Sequence, residues 1–128
     1  MYYTMHKTIT LLGEPKSTGS IYKTRSRPFP GIYMSKAGKT MKKSYIEQTT
    51  RQWANKPLTG DISIHVRLYF GTKRKSDIDN FHKLSFDSFT KIVWVDDSQI
   101  QKMFVEKFYD KKNPRIEITI LEAFKVLH

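Results

Sequence analysis

The 128-residue chain contains no cysteine, which excludes disulfides, thiolate nucleophiles and Cys-ligated zinc. No apolar run approaches the roughly 20 residues that cross a bilayer, so no membrane helix is expected. The N-terminal stretch MYYTMHKTIT lacks the basic, apolar and small-residue zones of a secretory signal, and the expected location is the cytoplasm. Internal repeats and low-complexity segments are also absent. The length suits one domain over residues 1–128, able to bury about two-thirds of its unfolded surface.

Acid is scarce, and unevenly so. Residues 1–56 hold 11 Lys or Arg against 2 acids, net +9; residues 57–128 hold 12 against 10, net +2; together they make the +11 of the whole chain. A basic excess of this size is the footprint of a polyanion partner, because each Lys or Arg that neutralises a phosphate releases condensed counterions. Nucleic acid fits better than an anionic membrane, since the basic residues are spread through loops and a short helix rather than along a basic amphipathic helix.

The first strand is expected over Lys7 to Leu12. Ile21 to Lys23 and Ile32 to Met34 can then pair as a hairpin around KTRSRPFPG. Its tip carries Lys23, Arg25, Arg27 and Phe29, cations to track phosphates and a ring for an unstacked base or sugar. A helix is expected over Thr40 to Asn55, with Met41, Tyr45, Ile46, Thr49 and Trp53 on its apolar side and Pro57 as its stop. Residues 61–70 alternate as a strand, Ile62, Ile64, Val66, Leu68 and Phe70 facing one way. His65, on the other face, reads as a half-exposed structural residue. A second helix is expected from near Asn80, with Phe81, Leu84, Ser85, Ser88, Phe89 and Ile92 on one face and Asp79, Lys83 and Asp87 as a charged stripe at i+4 steps. Strands Lys102 to Tyr109 and Arg115 to Glu122, joined by DKKNP, read as an antiparallel hairpin.

The acids are concentrated where the chain is otherwise basic. Lys73, Arg74 and Lys75 lead directly into Asp77 and Asp79. Residues two apart on a helix point about 200° apart, whereas in extended chain they share a side. Asp77 is therefore expected to precede the helix, and Asp79 to cap it. After the helix, Val93, Trp94 and Val95 run into a second pair, Asp96 and Asp97. Two acids before a helix and two after it suit a hard divalent ion such as Mg²⁺, and basic residues beside them suit a phosphodiester substrate.

The segments DIDNFHK, with Asp77, Asp79 and Lys83, and VWVDDSQ, residues 93–99, resemble the RusA-type Holliday junction resolvases. The resemblance is strongest over residues 74–100, continues in outline through the final strands and is loose over residues 1–73. It implies an α+β fold, with a mixed sheet of about four to six strands, two main helices and a two-fold homodimer. It also implies a Mg²⁺-dependent endonuclease, with Mn²⁺ able to substitute, that cuts four-way junction DNA symmetrically in a bacterial or phage-infected cell. Carried over by position, the catalytic set is Asp77, Asp79, Asp97 and Lys83, the three aspartates holding the metal. Asp96 and Asp87 are acidic neighbours without an assigned role. Lys23, Arg25, Arg27, Lys73, Arg74 and Lys75 are the expected nucleic-acid contacts, and His82 and Phe86 are candidates to pack at the two-fold. Two other functions fit the same residues: a binding module in which the acids only cap and turn the chain, and a Mg²⁺-dependent nuclease for RNA or flap DNA.

Overall fold

The computed structural model describes the backbone of residues 2–73 and 81–125, with side chains over 7–73 and 81–122. Asp77 and Asp79, with Arg74 and Lys75, lie outside the described residues. In chain order the elements are β1 (Tyr2–Leu12), α1 (Thr18–Ile21), β2 (Tyr22–Arg25), β3 (Gly31–Met34), α2 (Lys36–Gln52), β4 (Ile62–Phe70), α3 (Lys83–Phe89), β5 (Ile100–Tyr109) and β6 (Arg115–Lys125). Four strands form one mixed sheet in the order β1-β6-β4-β5, and β2 and β3 form a separate hairpin. The class is α+β, as expected.

Alternation in β4 dictates this arrangement. Ile62, Ile64, Val66, Leu68 and Phe70 are at most 3% exposed, and the register carries the pattern sideways. Val66 stands opposite Ile118 of β6, which stands opposite Ile9 of β1; Leu68, Ile116 and Leu11 form the next row. Each such buried side chain contributes about 1.5–3 kcal/mol. α2 and α3 supply Tyr45, Phe86 and Phe89 to the same core.

α2 starts four residues earlier than the apolar spacing suggests. Ser35 caps it by accepting from the Gly38 N–H at 3.1 Å. Gly38 then lies against Ile21 and Met34 so closely that a Cβ there would meet a carbon of each at 2.9 Å. Tyr45, Thr49 and Trp53 are buried and Met41 packs against the core, whereas Ile46, expected on the apolar side, is 36% exposed. Gln48 and Gln52 point at β1, where Gln52 accepts from the Thr10 N–H at 2.8 Å and donates to the Thr10 carbonyl at 2.7 Å, and Gln48 accepts from the Leu12 N–H at 2.8 Å. These amides occupy the outer edge of β1, where no strand pairs among the described residues. At the other side of the sheet the outer edge of β5 likewise has no strand beside it among the described residues.

The expected β5–β6 hairpin is not formed. β4 lies between the two strands, parallel to β5 and antiparallel to β6. Residues 110–114 instead step across the end of β4, where the Asp110 N–H donates to the Phe70 carbonyl at 2.8 Å. Two strand spacings are roughly 10 Å, which five residues span. A turn-rich linker between alternating strands is compatible with both arrangements, so composition did not separate them.

The sheet face away from the helices carries polar pairs. Arg67 Nε and Arg115 Nε hold the two oxygens of Glu117 at 3.1 and 2.8 Å, and Arg115 also reaches Asp110 at 2.8 Å. Tyr69 stacks between Phe108, at 4.9 Å, and the Arg115 guanidinium, at 3.8 Å. His65 bonds Glu106 at 2.6 Å and Arg67 at 3.2 Å, the structural role expected of it. Burial raises the Glu117 pKa, but the bonds from Arg115 and Arg67 outweigh it, and the carboxyl sits below its ordinary 4.5. A depressed carboxylate stabilises the fold above that ordinary value and loses its contribution as pH falls through the folded value. Glu117→Gln is therefore expected to lower Tm at neutral pH and to flatten the acid limb of a Tm–pH profile measured by calorimetry.

Candidate active site

The crossover between parallel strands β4 and β5 builds the site. Phe81 packs edge-on to Phe70 at 5.0 Å and anchors the approach to α3. Leu84, Ser85, Phe86, Ser88 and Phe89 are then all buried. Ser85 and Ser88 donate back to the His82 and Leu84 carbonyls at 2.8 and 2.7 Å, so these small residues pack inward without orphaned hydroxyls. Of the seven residues of α3, only Lys83 and Asp87 face outward. Phe86 is 6% exposed and lies edge-on to Trp94 at 5.5 Å, so it belongs to the core and not to a dimer contact. The helix begins at Lys83 with His82 at its cap position, three residues later than the expected start near Asn80; the expected cap, Asp79, lies outside the described residues.

Lys83 and Asp87 meet as the i,i+4 spacing anticipates, Nζ to Oδ2 at 3.5 Å. The same Asp87 oxygen accepts the hydroxyl of Tyr22, the first residue of β2, and the Lys83 ammonium lies 4.8 Å from the centre of the Tyr22 ring. Burial and then the Asp87 carboxylate push the Tyr22 phenol well above its ordinary pKa, so it remains a donor.

The stripe continues past the helix. Thr90, seven residues after Lys83 and so on the same side, places its hydroxyl 3.1 Å from Asp97 Oδ1 and 2.9 Å from the Phe86 carbonyl. The indole of fully buried Trp94 donates to the same Asp97 oxygen at 2.8 Å. Between them the chain turns at Lys91, in the left-handed region at φ 71°. Asp97 is exposed, and no donor among the described residues reaches its Oδ2. Thr90 lies roughly 10 Å along the helix axis from Lys83, so Asp97 and Lys83 lie towards opposite ends of α3, with Asp87 between them.

Asp96, adjacent to Asp97, has a structural task. Its carboxylate accepts from the Ser98 N–H at 3.0 Å, opening a single 3₁₀ turn over Asp97–Gln99, and these bonds hold its pKa below the ordinary value. Gln99 completes the turn: its oxygen accepts from the N–H groups of Val95 and Asp96 at 2.8 Å each, and its nitrogen donates to the carbonyls of Leu58 and Gly60 at 2.8 and 2.9 Å. The Asp96–Gln99 half of this clamp is a local capping box, whereas no local pattern announces its hold on Leu58 and Gly60, whose carbonyls lie about 40 residues away in the chain.

Of the expected nucleic-acid contacts, Lys23, Arg25 and Arg27 lie exposed on or beside the β2–β3 hairpin, with Phe29 72% exposed at its tip. Lys73 is exposed, its ammonium 5.5 Å from the Tyr109 ring centre. Among the described residues, no three His, Asp or Glu side chains converge as metal ligands would. The donors that are described suit a hard cation: Asp97 offers a carboxylate oriented through one oxygen and open at the other.

The geometry defines a class: a small α+β domain with a strand–helix–strand crossover, an outward Lys and Asp stripe on that crossover, and a basic hairpin fastened to it. A family model described as Endodeoxyribonuclease RusA matches residues 13–121, and the chain belongs to that family. The match extends well into the N-terminal half, further than the motifs alone suggested. The chain is 37% identical over 62 residues to the crossover junction endodeoxyribonuclease RusA of Enterobacteria phage 82, an alignment covering 48% of this chain and 52% of that protein. It is 36% identical over 62 residues, with the same coverage, to the proteins of that name from Escherichia coli (strain K12) and Shigella sonnei (strain Ss046). The chain thus spans about half the length of the curated relatives it matches.

Replacing Gln99 by Ala removes four hydrogen bonds, two that close the Asp97 turn on the Val95 and Asp96 N–H groups and two that tie it to the 58–60 segment. A loss of about 1–3 kcal/mol is expected, read as a lower midpoint in urea unfolding. Gln99→Glu, which keeps the acceptor but turns a carboxylate oxygen towards the Leu58 and Gly60 carbonyls, should also lower the midpoint at neutral pH.

Proposed function

We propose that the chain is a divalent-metal-dependent endodeoxyribonuclease that resolves four-way DNA junctions, the substrate carried in the name of its relatives. The observation that supports this most directly is Asp97: an exposed carboxylate steadied by a buried indole and a threonine hydroxyl, with one oxygen open, at the end of a stripe that begins with Lys83. A carboxylate serving only the turn would need neither bond, since Asp96 and Gln99 already hold the turn together.

Asp77, Asp79 and Asp97 are the residues that would hold the ion, Mg²⁺ or Mn²⁺. When bound, it supplies Lewis-acid polarisation of the phosphoryl oxygen and acidification of a water. The protein's own side chains divide the remaining work. Trp94 and Thr90 fix the Asp97 carboxylate through Oδ1. Lys83 places a positive charge where the phosphoryl oxygens and the departing oxygen gain negative charge. Lys23, Arg25 and Arg27, with Lys73, Arg74 and Lys75, bind backbone phosphates and set the register of the duplex arms.

The protein acts as a homodimer, because cutting two opposed strands requires two equivalent sites. The surface that favours self-association is β5, an edge strand on which Met103, Phe104, Phe108 and Tyr109 are 38–61% exposed. Phe104→Asp is expected to halve the mass measured by light scattering.

Cleavage of labelled four-way junctions with and without Mg²⁺ tests the reading. Asp97→Asn or Asp77→Asn should abolish cleavage and leave junction binding intact. Lys23→Ala, Arg25→Ala and Arg27→Ala together should weaken binding and flatten its dependence on salt, by about 0.9 in log–log slope for each phosphate no longer neutralised. Full cleavage in both Asp→Asn variants would remove the proposed metal ligands, junction binding with no cleavage by the unsubstituted chain would leave only a binding module, and equal cutting of linear duplex, flap or RNA would remove junction selectivity.

A further inference from the structure

Asp87 and Tyr22 lie outside the catalytic set. An exposed Lys–Asp pair on a helix contributes little to stability and needs no third partner. Here the pair has one. Tyr22 reaches from the base of the hairpin, its hydroxyl on Asp87 Oδ2 and its ring beneath the Lys83 ammonium. Lys83 thus meets a carboxylate on one side and an aromatic ring on another, while about half of its side chain remains open to a ligand. A lysine left free keeps its rotamer entropy, which must be lost when it meets a phosphate. The Asp87 oxygen is also committed: it accepts from both phenol and ammonium, so this carboxylate is directed at Lys83 rather than at a cation of its own.

We propose that Asp87 and Tyr22 are positioning residues that hold the Lys83 ammonium in one place and bind the basic hairpin to the helix that carries it. Lys23 follows Tyr22 directly, and Arg25 pairs with Gly31 three steps along the same hairpin. The phosphate-binding arm and the charge at the reacting phosphate are therefore joined through the Tyr22 side chain. This rests on the reading of Lys83 as a group that stabilises charge during strand cleavage.

A double-mutant cycle on kcat, run under single-turnover conditions on a four-way junction, separates the possibilities. The variants are Asp87→Asn and Tyr22→Phe, each alone and each combined with Lys83→Ala, with folding checked by thermal melts and junction affinity measured without divalent ion. Asp87→Asn keeps the shape of the side chain, and Tyr22→Phe keeps the ring. The expected result is a fall in kcat of about tenfold to a hundredfold for Asp87→Asn, the scale of a small misplacement at a reacting centre, with a smaller fall for Tyr22→Phe. Affinity should fall far less than kcat, as expected when the hairpin is loosened but keeps its cations, and neither substitution should lower the residual rate of Lys83→Ala any further. Unchanged kcat in Asp87→Asn, or losses that multiply in the Lys83→Ala background, would overturn the positioning role while leaving Lys83 as it is. Unchanged kcat in Lys83→Ala would overturn the role of Lys83 itself, and this inference with it.

Discussion

The site depends on one packing constraint: α3 is a single short helix buried in the core against α2 and Trp94. Five of its seven residues are buried, two of them serines that bond to their own helix. With so little surface left, the orientation of Lys83 and Asp87 follows from the core. A helix this short has little stability of its own, since nucleation costs more than a few turns return. Its stability comes from Phe81, Leu84, Phe86 and Phe89, so the positions of the functional side chains are set by hydrophobic burial beneath them.

Burial governs Asp97 in the same way. The indole that fills the core with its rings uses its one polar atom to fix the carboxylate, as buried tryptophans commonly do when a partner is within reach. The acid beside it, Asp96, bonds the turn, and Gln99 ties that turn to a distant segment. Two adjacent aspartates therefore divide their tasks: one shapes the backbone, and the other keeps an oxygen open to solvent.

Much of the fold was legible because it rests on local periodicity. The two-residue alternation of β4 and β6 and the helical spacing of Tyr45, Thr49 and Trp53 hold in three dimensions, as do the hairpin around KTRSRPFPG and the i,i+4 meeting of Lys83 with Asp87. What was missed depends on distance along the chain. The order of β5 and β6 is decided by which strand fills the space between them, and no pattern within 102–122 records that. Phe86 faced away from the apolar side on a helical wheel, yet Trp94 folds back over it. Asp87 looked like one rung of an ion-pair ladder because its other partner, Tyr22, lies 65 residues earlier. Where Asp77 and Asp79 stand relative to Asp97 falls outside the described residues.

The two borders of the sheet differ in kind. Along β1 the glutamines of α2 occupy main-chain groups of Thr10 and Leu12 that a further strand would use, whereas along β5 those groups have no neighbouring strand among the described residues. A strand added at β5 by an identical molecule would bring that molecule's own free border into the junction and leave at each end a border plugged at Thr10 and Leu12. Two helical amides would then stand in the way of any strand that tried to extend the pair into a fibre from that end of β1.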